Sequence, residues 1–349
     1  TCEDFVLSME QANNFDLNQF RRWYSQSGTP EIKIIDSWDE KNSIYSLLVE
    51  QSCPKTPGQE KKLPFVIPIR IAFVGENGLI PSKIIGEGLP GTVDIEHTLL
   101  LDEKEKIWNF SNFSEKPVPS LLRNFSAPVK LEFAYSPDDL LFLIKNDNDG
   151  YVRWDASKRF IINLIKECFN NENYADDPQI KIKIRNFSDI LRDLLVIPLK
   201  NGLWDQKYDA ALICEIFRLP NYHYIMEEFI EIDVNRIFEI RSFLEKLVLD
   251  NLNDLFLNLF ECLTKQLDSI GDYKPESNQI ALRSLKNLSL GMLLRGVDEK
   301  NILLAVNQFD NANNMTDQLS ALSALVNCSL PSAENIISEK LESFYAQWS

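Results

Sequence analysis

The hydrophobic period of the chain changes from two to about 3.6 near Ser136-Pro137-Asp138, after a short helical start before residue 31, and the fold divides there. Between residue 31 and that point apolar residues recur at every second position. Phe65, Ile67, Ile69, Ile71 and Phe73 alternate with Val66, Pro68, Arg70, Ala72 and Val74. Val129, Leu131, Phe133 and Tyr135 alternate with Lys130, Glu132 and Ala134 in the same way. Successive strand side chains point to opposite faces, so both runs read as strands with one apolar face. Weaker strands are expected at 31–37, 43–50, 92–100 and 104–110. Turn chemistry separates them at Asp39–Asn42, Pro54–Gly58, Gly75–Gly78 and Gly86–Gly91. Short strands with no helix between them predict an antiparallel β-sandwich.

From residue 138 onward the period is helical. Helices are expected at 138–146, 154–171, 187–196, 205–218, 222–230, 233–250, 252–267, 277–294, 299–309, 315–327 and 333–347. Ile237, Ile240, Leu244 and Leu247 form one apolar stripe, and Leu252, Leu255, Leu259 and Cys262 another. Helices of similar length with short turns predict stacked antiparallel pairs, an αα solenoid-like superhelix without a fixed-period repeat. Two short helices are expected before the first strand, at 3–12 and 16–25. Phe5, Met9 and Ala12 share a face of one, and Leu17, Phe20 and Tyr24 a face of the other. Thr1-x-x-Asp4 resembles a capping box, Gly28 is a helix stop, and Pro30 follows it. The fold class is therefore multidomain, β then α.

Composition excludes several functions. The formal net charge is −16, from 36 Lys and Arg against 52 Asp and Glu. Non-specific nucleic-acid binding needs a basic footprint, so no nucleic-acid partner is expected. Apolar runs such as Leu140–Ile144 are too short to span a bilayer, so no membrane partner is expected either. Cysteines 2, 53, 168, 214, 262 and 328 form no C-x-x-C pair and read as free thiols of a reducing, cytoplasmic compartment. With no basic-then-apolar leader before Thr1-Cys2, Asn-x-Ser/Thr triplets such as Asn109-Phe-Ser, Asn124-Phe-Ser and Asn314-Met-Thr carry no glycosylation argument.

Four local patterns resemble sites. Gly86-Glu-Gly-Leu-Pro-Gly91 matches G-x-G-x-x-G, but a strand, not a helix, is expected after it, so it reads as a sandwich loop. Asn146-Asp-Asn-Asp-Gly150 resembles a calcium loop. With Gly150 at loop position six, positions one and twelve fall on Lys145 and Ala156, whose side chains offer no oxygen, so a turn between helices is expected. His223, Glu227 and Glu231 recur every four residues; a solvated acidic helix is expected rather than a zinc site, with Glu227 and Glu228 near its N-terminus. His97, on an apolar face with Val93, Ile95 and Leu99, reads as a hydrogen-bonded core or boundary histidine. H-E-x-x-H, G-x-S-x-G and P-loop motifs are absent. No catalytic, cofactor-binding or metal-binding residue is assigned within the chain.

Four longer segments carry a resemblance. They are Phe20-Arg-Arg-Trp-Tyr-Ser-Gln-Ser-Gly-Thr-Pro30, Pro117-Val-Pro-Ser-Leu-Leu-Arg-Asn-Phe-Ser-Ala-Pro-Val129, Arg153-Trp-Asp155 and Asn313-Asn-Met-Thr-Asp-Gln-Leu-Ser-Ala-Leu322. In this order and spacing the chain resembles the bacterial aminopeptidase N (alanyl aminopeptidase) group of gluzincin metallopeptidases. The resemblance implies a protein of four domains: a β-saddle, a thermolysin-like catalytic domain, a β-sandwich and a helical superhelix. Residues 1–28 would be the last helices of the catalytic domain, 29–135 the sandwich and 136–349 a superhelix cut short at its C-terminus. The zinc motif, the transition-state tyrosine and the amine-gripping loop would all precede residue 1. Zinc would belong to the whole protein and not to this chain, whose part is to shape and restrict access for peptides with a free N-terminus. The whole protein is expected to be monomeric, and the isolated chain to self-associate weakly. A β-sandwich plus α-solenoid interaction scaffold with no enzymatic parent is the alternative, since fold alone does not decide function.

Overall fold

Alternation on three strands builds the β core. Tyr45, Leu47 and Val49 on one, Ile67, Ile69, Ile71 and Phe73 on a second, and Trp108 and Phe110 on a third are all buried in one apolar cluster. Each such side chain contributes about 1.5–3 kcal/mol when fully buried. The Phe73 ring meets Phe110 and Phe113 edge-on at 4.9 Å each. The buried Tyr45 hydroxyl donates to Asp36 Oδ2 at 2.7 Å, so burial leaves it satisfied. The computed structural model describes residues 1–86, 93–296 and 298–348.

The chain folds as two compact units, Thr1–Ala156 and Ser157–Ser349. The first opens with α1 (Cys2–Asn13) and α2 (Arg22–Ser25). The strands follow: β1 (Glu31–Asp39), β2 (Ile44–Ser52), β3 (Ile67–Gly75), β4 (Gly78–Leu79), β5 (Lys83–Ile84), β6 (Glu96–Leu101), β7 (Glu105–Ser111), β8 (Val118–Leu121) and β9 (Lys130–Glu132). One sheet has the order β5-β7-β2-β1-β9; the other has β4-β3-β6, with β8 also pairing β3. The expected sandwich is present, but it is not wholly antiparallel: β9 runs parallel to β1, with Glu31 opposite Lys130. Short pieces such as β8, between Pro117 and Leu122, have too few residues to show a period, and they fall outside the expected strands.

The first segment departs from expectation as well. The capping box forms, with Thr1 and Asp4 exchanging hydrogen bonds. The helix expected over 16–25 is only the single turn of α2, because side chains of this stretch bond to the sandwich instead. Gln19 Nε2 donates to Asp102 O at 2.6 Å, and Trp23 Nε1 to Val66 O at 2.9 Å. Trp23 also lies on Phe65, with 4.7 Å between ring centroids.

Helix α3 (Pro137–Asn146) starts with a second capping box, between Ser136 and Asp139, and packs against β3 and β8. Helix α4 (Gly150–Phe169) starts in the first unit and continues into the second. The second unit is helical: α5 (Pro178–Val196), a hairpin of β10 (Leu199–Lys200) and β11 (Leu203–Trp204), α6 (Ala210–Phe217), α7 (Tyr222–Met226), α8 (Val234–Ile270), α9 (Ser277–Leu294), α10 (Lys300–Asn311), α11 (Met315–Val326) and α12 (Glu334–Trp348). Sequence neighbours pack on one another, α8 with α9 and α10 with α11, while α9 also receives α6 and α11. No helix among the described residues is long and apolar enough to cross a membrane.

Three expectations in this unit are corrected. The helices expected at 233–250 and 252–267 are one helix, α8. The polar run Asp250-Asn251-Leu252-Asn253-Asp254 looks like a break, but it contains no Gly or Pro, and buried Leu249, Leu252, Leu255 and Phe256 continue the stripe. Helix α5 starts at Pro178, well before the expected 187, with the Asp177 side chain capping Gln179 N. There Ile180, Ile182 and Ile184 imitate a strand period, yet Ile180 and Ile184 are buried and Ile182 is exposed, as i, i+4 geometry requires. Finally, the helix expected from 205 starts only at Ala210, where the Asp209 side chain caps it, and it follows a short β10–β11 hairpin turned by Asn201 and Gly202, both at positive φ.

Candidate functional site

The four local patterns resolve as follows. Positions 87–91 of the glycine motif lie outside the described residues. His97 sits on β6, whose inward face is His97, Leu99 and Leu101; Val93 and Ile95 precede the strand and are exposed, which corrects the expected face. Ser82 Oγ lies 2.8 Å from His97 Nε2. A hydroxyl on an imidazole is the start of a nucleophile–base pair. Here Ser82 is wholly buried, so no substrate atom can approach it, and burial pushes the His97 imidazole below its ordinary value. The pair is a satisfied core contact.

Near His223 the helix ends at Met226, so Glu227 is its C-cap, not an N-terminal residue, and the expected dipole argument fails. His223 Nε2 lies 3.3 Å from Glu227 Oε1, both well exposed, while Glu231 lies beyond the helix end. Among the described residues no three His, Cys, Asp or Glu side chains gather to hold a metal ion. The residues present do not fit a zinc ion.

The loop 146–150 joins α3 to α4, and its carboxylates face Arg123 and backbone N–H groups. Arg123 is 2% exposed. Its Nη1 donates to Ser120 Oγ at 2.7 Å and Asp147 Oδ1 at 2.8 Å, and its Nη2 reaches Glu96 Oε1 at 2.9 Å. Asp149 accepts from Asn124 N at 2.9 Å and caps α4 through Val152 N at 3.0 Å. The backbone pays for this convergence with positive φ at Leu122, Asn124 and Phe125. Burial pushes the Glu96 carboxyl up, but the Arg123 and Arg70 guanidiniums together hold it below the usual range. Sequence reasoning read Asp147 and Asp149 as turn residues and did not identify Arg123, the buried cation that Asp147 serves.

The second unit holds a similar centre. Arg283 and Lys286 on α9 both meet Asp317 on α11, with Lys286 Nζ 2.9 Å from Asp317 Oδ2. All three are at least nine-tenths buried. Asn314 caps α11 by accepting from Asp317 N at 2.9 Å, and Asn287 donates to Asp317 Oδ1 at 3.0 Å. The Arg283 guanidinium lies 5.1 Å from the Tyr273 ring centre. Burial pushes the Asp317 carboxyl up, but the Lys286 charge and hydrogen bonds from Lys286, Asn314 and Asn287 outweigh it and hold it below the usual range. Burial likewise pushes the Lys286 ammonium down against the pull of Asp317. The cluster locks α9 to α11. Two cations three residues apart among buried Leu282, Leu285 and Leu290 were its signal in the sequence.

Helix α1 is different in kind, for its apolar face has almost no partner. Only Val6 is buried, while Phe5 is 57% exposed, and Leu7 and Met9 are exposed too. Phe15 beyond its end is also exposed. Arg21, paired with Glu3 and Glu10 at 2.8 Å each, holds the helix in place.

An Ig-like sandwich followed by stacked helices matches two family models: DUF3458, described as an Ig-like fold, over residues 28–134, and DUF3458_C, described as ARM repeats, over residues 137–349. The chain belongs to this DUF3458 family. It is 35% identical over 340 residues to the aminopeptidase N of Escherichia coli (strain K12), covering 97% of this chain and 37% of that protein. It is 36% identical over 331 residues to the aminopeptidase N of Haemophilus influenzae, covering 95% of this chain and 35% of that protein. The crystal structure of Legionella pneumophila aminopeptidase A in complex with aspartic acid superposes with a TM-score of 0.76 at 26% identity, over 100% of this chain and 37% of that one. The chain thus spans little more than a third of the length of these relatives, and it matches the non-catalytic C-terminal portion of such aminopeptidases.

Proposed function

We propose that this chain is the access-shaping portion of a cytoplasmic, zinc-dependent aminopeptidase N that releases N-terminal residues from peptides. Residues 1–28 would close the catalytic domain, 29–135 form the sandwich and 136–349 begin the superhelix. The zinc and its ligands would lie outside the chain, in keeping with its two separated histidines. The chain supplies no step of the hydrolysis. Its part would be to restrict entry, admitting peptides and turning away folded proteins.

The observation that carries the reading is the exposed apolar face of α1, a helix that Arg21 pairs with through Glu3 and Glu10 in a segment that Trp23 ties to the sandwich. Apolar faces of this size tend to find a partner, and interfaces between domains typically bury about 600–1,500 Å². Weak self-association of the isolated chain through this face is the accompanying proposal. The test mixes the chain with a separately produced catalytic part and follows hydrolysis of an alanyl chromogenic substrate. Activity on mixing that Phe5→Asp with Met9→Asp abolishes supports the reading. Chelator-sensitive turnover by the chain alone, or no complex and no activity on mixing, overturns it, the latter in favour of an interaction scaffold.

A further inference from the structure

The chain carries sixteen excess negative charges, yet one groove of the helical unit is basic. Its volume is about 380 Å³, and it is lined by the end of α6, by α8, α9 and α11. Arg218, Arg241 and Arg295 face it against a single acidic lining residue, Glu245, a local excess of two positive charges. We propose that this groove binds a small dianion, a phosphoryl compound or a dicarboxylate, at a site separate from the peptidase reading above.

The arginines are held ready for such a ligand. Arg241 Nε donates to the Pro220 carbonyl at 3.0 Å, and its guanidinium lies 4.8 Å from the Tyr222 ring centre, so its plane is fixed in advance. Glu245 bridges two of them, with Oε2 3.5 Å from Arg241 and Oε1 on Arg295. One carboxylate neutralises only one of the pair. Arg218 is paired at 2.7 Å with Glu215, which lies outside the lining, and both are about half exposed. Exposed pairs contribute little, so this guanidinium is free to turn toward an incoming anion. Guanidinium forks match carboxylate and phosphate oxygens two at a time, which is why arginine serves such sites.

The floor of the groove leaves room. A Cβ added to Gly291 on α9 would meet no atom within 4 Å. Ser323 and Ala324 on α11 keep the opposite wall low. The volume falls in the range of small-molecule sites, roughly 300–1,000 Å³. A polyanion such as nucleic acid would extend over the acidic remainder of the surface, whereas a small dianion meets three arginines against the one carboxylate of Glu245.

The experiment is calorimetric titration of the full chain with pyrophosphate, inorganic phosphate and succinate at one fixed ionic strength, with chloride as control. Two variants separate charge from space: Arg295→Gln removes one guanidinium, and Gly291→Leu fills the floor with a residue that suits a helix. The expected result is one site per chain, weakened about tenfold by R295Q and abolished by G291L, both variants keeping the parent's helical circular dichroism. Preference for the phosphates or for succinate then decides the class. If none of the three saturates, or if neither variant changes the binding, the proposal is wrong.

Discussion

Asp317→Asn tests the view that a buried carboxylate, rather than apolar packing alone, locks α9 to α11. The substitution keeps the shape of the side chain and removes its charge. Asp317 is 4% exposed and accepts from Arg283, from Lys286 at 2.9 Å and from Asn287 at 3.0 Å. Without its charge, two buried cations lose their counter-ion. Breaking a buried pair in this way costs about 3–5 kcal/mol, because the orphaned charge stays out of water. The matched control is Glu215→Gln, which breaks an equally short but half-exposed pair with Arg218 and costs about 0–1 kcal/mol. Urea unfolding followed by far-UV circular dichroism reads both, with a lower midpoint and an unchanged slope expected for D317N. In a unit of this size the melting temperature should drop on the order of 10 °C. The pH dependence supplies a second reading. Asp317 is held below its ordinary value in the folded state, so its contribution is complete above the unfolded carboxylate pKa. It is lost as pH falls through the lower folded value. D317N should therefore flatten the loss of stability below about pH 4. If D317N and E215Q differ by less than about 1 kcal/mol, the ion cluster is not what holds these helices.

Arg123→Met should cost about 3–5 kcal/mol in the first unit, since it leaves the buried Asp147 carboxylate without its cation, while Glu96 keeps Arg70; unfolding followed by tryptophan fluorescence measures it. Gly28→Ala should cost about 1 kcal/mol or more by the same assay, because Gly28 holds φ at +97° and an added Cβ would lie 3.2 Å from Cys53 Sγ. Burial pushes the Cys168 thiol up to about 12 and Cys214 up to about 11, so a disulfide reagent at pH 8 should label exposed Cys2 quickly and leave those two until urea is added. Rapid labelling of Cys168 in the native chain would contradict its placement.

Elements held by their own periodicity were legible in the sequence, and those held by a distant partner were not. Strand β3 and two separate stripes of α8 read directly, because burial of one face leaves its period in the residues, though their union in one helix did not. Helix α2 did not read correctly. Leu17, Phe20 and Tyr24 have helical spacing, but Gln19, Trp23 and Gln26 bond to backbone carbonyls of the 63–66 approach to β3 or of residue 102. Those bonds reach across tens of residues and leave no local pattern. The parallel pairing of β9 with β1 is hidden for the same reason, since three residues carry no signal of direction.

The same distinction applies to the sites. His97 and His223 drew attention because histidine is rare in the chain, and neither joins a site among the described residues. What organises the two units is instead the pairing of ordinary residues far apart in sequence: Arg123 with Asp147 in one, and Arg283 and Lys286 with Asp317 in the other. Each centre buries charge, which is costly unless fully compensated, and each gains orientation because a misplaced partner is costlier still. A wall that shapes access to a catalytic site elsewhere needs helices fixed in angle and register more than it needs reactive groups. The residues able to do that are the buried ion pairs, not the histidines. Variants at Arg123 and Asp317, tested in the assembled peptidase, should therefore alter which peptide lengths are cleaved before they alter turnover of a single-residue chromogenic substrate. Equal losses on short and long substrates would show that these centres support only stability, and that the walls they hold do not select what enters.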